Sequence, residues 1–368
     1  VRSAIDEAHA AGVRVLMITG DHPRTAARIA SDLGINAPGD PTLVGADLET
    51  LSDSELEEAV RTTDVYARVA PEHKLRIVDA LQANDNIVSM TGDGVNDAPA
   101  LKSADIGVAM GITGTDVTKE AADMILADDN FATIIAAVRE GRGIFANIRK
   151  FIRFLLSSNV GEVLTMFLGV VLAGFLGLDQ AGEAIAVPLL ATQILWINLL
   201  TDTGPALAMG VDRPPDDVMR RPPRPLTERV INREMWAGII WIGIVMAVVT
   251  LFALDLRLPG GLVGDAGEIV TARTMAFTTL VLAQLFNTFN ARSDRASAFS
   301  HMFTNRWLWG AITLSLLLQV AVVQLEVLND AFGTTPLTLD EWAICAALAS
   351  VVLWAEEARK LLKQMAGR

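Results

Sequence analysis

The chain has 368 residues, is 51% hydrophobic and has a mean hydropathy of +0.39, which excludes a single soluble domain and calls for membrane segments. A net charge of −13 excludes nucleic acid as a partner. The single cysteine, Cys345, lies in an apolar run and excludes an intrachain disulfide and a Cys-rich metal site. The chain opens on Val1, without Met, in what already reads as a helix, so a piece of a longer protein is expected.

Residues 4–11 read as a helix ending at Gly12, and Val13 to Thr19 (VRVLMIT) as a buried strand. Gly20-Asp21 turns the chain into a helix from about His22 to Leu33, closed by Gly34. A Thr at the end of a parallel strand, facing a helix N-terminus, is placed to bind phosphate oxygens, although an ordinary strand–helix turn reads the same by itself. Residues 36–63 are polar and irregular, with one short helix expected at 52–61. Val65 to Val69 reads as a strand, and Pro71 opens a helix through Gln82 that carries Lys74 in its first turn.

The most informative stretch is Met90 to Gly111, MTGDGVNDAPALKSADIGVAMG. The β-type run 86–91 precedes it, so the Gly-Asp-Gly falls at the carboxyl end of a parallel strand, where open α/β sheets bind ligands. Gly92 and Gly94 let the backbone beside Asp93 approach a ligand closely. Asp93, Asn96 and Asp97 together suit a hard cation such as Mg2+, which takes oxygen ligands and shares itself with phosphate. Strands at 105–110 and 123–127, with a helix from Thr115 to Ala122 between them, fit a doubly wound sheet. A helix then starts near Asn130, capped by Asp129 or Asn130, and runs without a strong breaker into the first apolar run.

Six apolar runs follow, at about 151–176, 186–210, 235–256, 272–291, 307–327 and 341–359, each able to cross a bilayer. Basic residues gather in alternate connectors: Arg142, Arg149, Lys150 and Arg153; then Arg213, Arg220, Arg221, Arg224, Arg229 and Arg233; then Arg292, Arg295 and Arg306; and in the tail Arg359, Lys360, Lys363 and Arg368. The positive-inside rule puts residues 1–145 and the C-terminus in the cytoplasm. Asn159 and Glu162 are three apart in the first run, and Asn198, Thr201 and Asp202 share a helical face in the second. Ionisable groups within a span are costly and mark ion paths. Gly204-Pro205 is expected to break the helix after Asp202 and free carbonyl oxygens as ligands.

TGDGVNDAPAL, with MITGDHPRTA upstream and apolar helices downstream, resembles the P-type cation-transporting ATPases over nearly the whole chain, and the calcium-pump (type IIA) branch most. The resemblance implies an incomplete α/β phosphorylation domain of the haloacid-dehalogenase (Rossmann-type) kind over 1–145. An α-helical bundle of six transmembrane helices would follow over 146–368. It makes Thr19-Gly20-Asp21 the second phosphate motif and sets Lys74, in APEHK, against an aspartyl phosphate, supported by Arg68. Asp93 and Asp97 would hold Mg2+, with Asn96 shaping the site. NVGEV and INLLTD match the fifth and sixth membrane helices, so Asn159, Glu162, Asn198, Thr201 and Asp202 fall on cation ligands. Gln284, in LAQLFN, stands where the two-site pumps place a Glu, a departure that bears on the first of the two sites.

No DKTGT loop, TGE loop or nucleotide-binding domain appears in the chain. The resemblance therefore implies the C-terminal part of an ATP-driven pump, with ATP bound mainly by the missing N-terminal part. Ca2+ is the favoured cargo among Ca2+, Mn2+, Na+ and K+, and the plasma membrane of a prokaryote the expected location. Other readings of the same residues are a naturally truncated, non-catalytic membrane protein that regulates a pump, and a membrane-tethered phosphatase.

Overall fold

The structure, a computed structural model, describes residues 1–178, 187–225, 227–263, 267–294 and 296–366. They form two compact units, Val1–Gly143 with Pro215–Glu228, and Ile144–Pro214 with Arg229–Arg368. The expected boundary at 145/146 is close to this division, but the connector 215–228 belongs to the first unit. Met219 packs with Ala4, Ala8, Ala11 and Ile135, and Arg142 donates to the carbonyls of Ala11, Val218 and Arg221.

The first unit runs α1 (Arg2–Ala10), β1 (Met17–Ile18), α2 (Pro23–Leu33), β2 (Thr42–Val44), α3 (Gly45–Thr50), α4 (Asp53–Ala59), β3 (Val65–Ala67), α5 (Pro71–Ala83) and β4 (Ser89–Gly92). A 3-10 turn at Val95–Asp97 then leads to α6 (Ala98–Ser103), β5 (Ile106–Met110), α7 (Asp116–Ala121) and β6 (Met124–Leu126). Local chemistry sets these bounds. Pro23 and Pro71 stand in first turns, where a missing N–H is harmless, and Gly34 closes α2 at φ 80°. Ser52 and Glu55 cap α4 reciprocally.

The expected single sheet is two parallel, three-stranded sheets, ordered β1-β3-β2 and β4-β5-β6. The strand expected over 13–19 pairs only at Met17–Ile18, because among the described residues β1 has a neighbour on one side only. In β3, period-2 alternation sends Val65 and Ala67 to the α1–α2 side and Tyr66 to the α3–α5 side. Both faces are therefore apolar, as covered parallel sheets require. Segment 36–63, expected to hold one helix, contains β2, α3 and α4. Three residues after Pro41 are too short for a period to show, and Gly45 is needed where a Cβ would meet the Arg68 carbonyl at 2.3 Å.

α8 (Phe131–Val171) begins in the first unit, capped by Asn130, and continues into the second through Gly141 and Gly143 without a break. The second unit continues with α9 (Ala173–Leu176), α10 (Ala191–Trp196), a π-helical turn (Ile197–Thr201), α11 (Thr203–Gly210), α12 (Arg233–Asp255), α13 (Ile269–Ala291), α14 (Arg306–Gln324), α15 (Glu326–Phe332) and α16 (Leu339–Ala366). Helix α13 is central, buried on nearly all sides against α12 and α16 through Met246, Phe277, Leu280, Val281, Cys345 and Val352.

Among the described residues four helices, α8, α12, α13 and α14, are long and apolar enough to cross a membrane, against six expected. The second apolar run is divided between α10, the π turn and α11. The sixth forms α16, whose apolar stretch from Trp342 to Ala355 is bounded by Asp340 and Glu341 at one end and Glu356 and Glu357 at the other. Gly204-Pro205 does not end the helix: Pro205 stands in the first turn of α11, and the irregularity lies before it, where the Asp202 N–H reaches back to the Ile197 carbonyl at 3.0 Å. Residue 186 of the second run, and Arg295 and Arg368, lie outside the described residues.

Helices α8 and α12 meet through glycines. A Cβ on Gly243 would stand 2.4 Å from Val160 Cγ1, and one on Gly161 would stand 2.9 Å from Met246 Sδ, whereas one on Gly310 meets nothing within 4 Å. Gly243→Ala is expected to lower stability by about 1–3 kcal/mol through overpacking. Gly310→Ala should be neutral or raise stability by up to about 1 kcal/mol through helix propensity. Thermal unfolding of both variants in detergent measures the contrast, and equal melting temperatures would refute it.

Candidate functional site

The carboxyl ends of three strands are tied together in the first unit. After β1, Thr19 donates its N–H to Tyr66 and its hydroxyl accepts from Asp21 N at 3.1 Å. The loop after β3 closes on this turn: Arg68 N donates to Asp21 O at 3.1 Å and Val69 N to Thr19 O at 3.2 Å. Arg68 adopts φ 50° to do so, with its side chain exposed. The same loop starts α5, and Lys74 reaches from its first turn to form an ion pair with Asp97, beyond the end of β4. Thr19, Gly20, Asp21, Arg68 and Lys74 therefore stand along connected loops, with Asp97 held by Lys74.

Asp97 organises the β4 turn. One carboxylate oxygen takes Lys74, and the other accepts the N–H groups of Asp93 and Gly94 at 3.3 Å each. Gly92 is required by this turn, since a Cβ there would lie 2.5 Å from Asp97 Cβ. Asp97 is 5% exposed and fully engaged, whereas the Asp93 and Asn96 side chains are exposed. The arrangement leaves Asp93 as the open carboxylate. That fits Mg2+, which commonly takes one or two protein carboxylates and completes its shell with phosphate and water. Asp97 acts here as the group that aims Lys74 and the Asp93 backbone.

A third layer of the site was not read from the sequence. Thr115 N donates to Asp93 O at 3.0 Å, and the Thr118 hydroxyl lies 3.5 Å from the same oxygen. The loop before Thr115 is held by Asp129, which accepts from Ile112 N at 3.0 Å and from Thr113 N and Oγ1 at 2.8 Å each. The available signals were GITGTD after a strand and an aspartate just before a helix cap. Asn130 is the cap, so Asp129 is released for the loop.

In the second unit Glu162, on α8, is 4% exposed and accepts from two carboxamides: Asn198 Nδ2 of the π turn at 2.6 Å and Gln284 Nε2 of α13 at 2.8 Å. Asp202 is 2% exposed, and among the described residues neither of its carboxylate oxygens has a hydrogen-bond partner; the Gln284 carbonyl oxygen has none either. Thr201 is buried, with its hydroxyl on Ile197 O at 3.0 Å and its carbonyl accepting from Ser315. Asn159 is not drawn in. The buried sector of α8 at this level passes through Ser157, Ser158, Gly161 and Glu162, and Asn159 sits beside it, exposed. Among the described residues no group of three or more His, Cys, Asp or Glu forms a metal cluster, so any cation here would rest on two carboxylates and neutral oxygens.

Comparison with known proteins gives one consistent family. Residues 1–105 and 75–138 match haloacid dehalogenase-like hydrolases, and residues 186–362 match the C-terminus of cation transporting ATPases. The chain is 46% identical over 351 residues to a protein of Bacillus subtilis named calcium-transporting ATPase, covering 95% of this chain and 38% of that one. It is 44% identical over 378 residues to calcium-transporting ATPase 1 of Bacillus cereus, covering 99% and 41%. A probable cation-transporting ATPase F of Mycobacterium tuberculosis is 41% identical over 360 residues, covering 95% and 38%. The chain thus spans about two fifths of the length of the relatives it matches.

The Asp129 anchor carries a pH signature. The Ile112 N–H, with further donors from Thr113 and Gly111, holds its carboxyl down at about 2. The unfolded value is about 3.9. A depressed carboxylate contributes stability that is complete above the unfolded value and is lost as pH falls through the folded one. Asp129→Asn is therefore expected to be less stable than the parent at pH 5, with the gap closing towards pH 2, as read by denaturant unfolding at stepped pH. A gap constant across that range would remove Asp129 from the acid response.

Proposed function

Because the chain belongs to the P-type cation-transporting ATPases, we propose that it is the C-terminal portion of an ATP-driven pump that moves a divalent cation, Ca2+ first, across the membrane. The observation that carries this reading is the buried pair Glu162 and Asp202, with three carboxyl and carboxamide oxygens left without partners. Buried polar atoms are nearly always satisfied, so acceptor oxygens gathered on two buried carboxylates and a carboxamide fit a cation-binding role better than a structural one. Ca2+ takes about six to eight oxygens in flexible geometry. Glu162, Asp202, Asn198, Thr201 and Gln284 supply part of that shell. Helices outside this chain supply the rest, and Asn159, exposed on α8, would join them only by turning towards Glu162.

In this reading an aspartate outside the chain accepts the γ-phosphoryl group of ATP and ADP leaves. The strand carrying it fits the open edges of β1 and β4, beside Thr19 and Asp93. Thr19 and Lys74 bind phosphoryl oxygens, Lys74 being aimed by Asp97 and supported by Arg68. Asp93 holds Mg2+, which when bound neutralises charge on the transferred group. Phosphorylation would shift a two-state helix bundle and expose the cation site to alternate sides. In the full-length protein, Asp93→Asn is expected to reduce Ca2+-dependent phosphoenzyme to background; a normal level would remove Asp93 from the chemistry.

The chain is part of an integral membrane protein. Beyond that, we infer six crossings, with α10, the π turn and α11 as the second and α16 as the sixth. Residues 1–145 and the C-terminus would be cytoplasmic, in the plasma membrane of a prokaryote. A broken helix is tolerated in a bilayer where it lines a polar site, which is the position of the π turn. Single cysteines replacing Pro215 and Leu262 are expected to label from opposite sides of sealed vesicles, and labelling of both from one side would rule the topology out.

A further inference from the structure

A buried ionic cluster of the second unit lies away from the proposed cation site, at the other end of α11. Asp212 follows that helix and is 3% exposed. Its Oδ2 accepts from Lys150 Nζ at 2.8 Å and Arg292 Nε at 3.1 Å, and its Oδ1 from Arg292 Nη2 at 3.0 Å and Asn305 Nδ2 at 3.2 Å. Lys150 is on α8, Arg292 closes α13 and Asn305 caps α14, so one carboxylate joins four segments. The last carbonyls of α11 are taken as well. Asn305 donates to Ala208 O at 2.9 Å, and Asn147 of α8 donates to Gly210 O and Asp212 O at 3.2 and 2.7 Å.

Helix α11 has eight residues, about 12 Å of rise, and Asp202 stands at its start. The π turn just before Asp202 carries Asn198, which bonds Glu162 on α8. The same two strands of the bundle, α8 and the π turn with α11, are thus joined twice: at Glu162 by a neutral amide, and at Lys150 by buried charge. The first joint must give up its amide donors before a cation can reach the Glu162 oxygens, while the second has both Asp212 oxygens occupied by cationic or amide donors. A short helix pinned at one end by charge-assisted bonds cannot slide or turn freely at the other.

We propose that Asp212 is a positioning residue for cation binding: clamped by Lys150, Arg292 and Asn305, it holds α11 so that Asp202 and Asn198 stay in register with Glu162. This rests on the cation-site reading above. Asp212 touches no cation. Its effect runs through the placement of α11, as outer partners set the geometry of ligand residues in metal sites.

The test uses the full-length protein in detergent with Asp212→Asn and, separately, Arg292→Gln, which leaves a balanced Lys150–Asp212 pair and carries the test if the first variant fails to accumulate. Removing an outer partner of a metal site commonly weakens the metal about 10-fold to 100-fold, so the Ca2+ midpoint for phosphorylation by ATP is expected to rise by at least about 10-fold. Phosphorylation by inorganic phosphate without Ca2+ should stay within about twofold, because the clamp acts on the cation site. Amide exchange over residues 197–210, read without Ca2+, should quicken roughly tenfold as the helix end is released. Unchanged exchange overturns the clamp. Faster exchange with an unchanged Ca2+ midpoint reduces it to a structural contact and also overturns the proposal. If the parent protein forms no phosphoenzyme, the pump reading fails, and the exchange measurement still decides whether Asp212 holds α11.

Discussion

The second unit is arranged around one buried carboxylate, Glu162, which needs polar company among apolar helices. Glu162 receives one N–H from the π turn and one from α13. Those two bonds dictate what the neighbouring elements can be. Asn198 reaches Glu162 from a turn in which the helix is wound one residue wider than normal. Helix α13 must bring a carboxamide into a position where a bundle helix ordinarily offers only Leu or Phe. It does so as part of a series, since Asn287 bonds the Ser157 hydroxyl and Asn290 bonds the Val352 carbonyl one turn and two turns further on. Gln284, Asn287 and Asn290 are each three apart, so α13 presents a polar edge within a helix that is otherwise packed by Phe277, Leu280 and Val281.

The first unit is held together by a different kind of contact. Its site residues come from loops, and loops need fixing. Asp97 does this with a single side chain, binding Lys74 on one oxygen and two backbone N–H groups on the other. Asp129 repeats the device on the neighbouring loop. In both cases the carboxylate that is bonded throughout frees another residue, Asp93 or Asn130, for its own task. Such anchors explain how exposed turns at strand ends can hold a constant shape without a core beneath them.

Much of this was legible in the order of the residues, for reasons that can be named. Pro71, Gly34 and the Gly-Asp-Gly turn are local signals, and the elements they bound appear where expected. Glu162 and Asp202 were conspicuous because charge within an apolar run has few explanations. What escaped was non-local. Nothing in VRVLMIT states how many neighbours a strand will have, so its paired length was overestimated. The engagement of Asp97 by Lys74 links positions on two elements and has no periodic trace. The Gly204-Pro205 pair looked like a breaker because Pro usually is one, yet its place in a first turn makes it harmless, and the real irregularity falls on the unremarkable INLLT. Spacing and the NVGEV resemblance group Asn159 with Glu162, but neither says which sector of the helix its neighbours cover.

The two sheets of the first unit have a consequence for handling the protein. Among the described residues β1 pairs only with β3, and β4 only with β5, so each sheet presents a row of unpaired backbone donors and acceptors. Beside β1 the chain is VRVLMIT, a β-branched and apolar segment interrupted by a single charge, Arg14. These edges are short, two residues in β1 and four in β4, but they carry no Pro, and an uncovered edge can pair with an extended chain nearby. Unless a complementary strand occupies them, identical copies are the nearest candidates. Self-association through these strand edges is then one cause to examine, beside the exposed apolar helices of the second unit, when this stretch of sequence is produced by itself and precipitates.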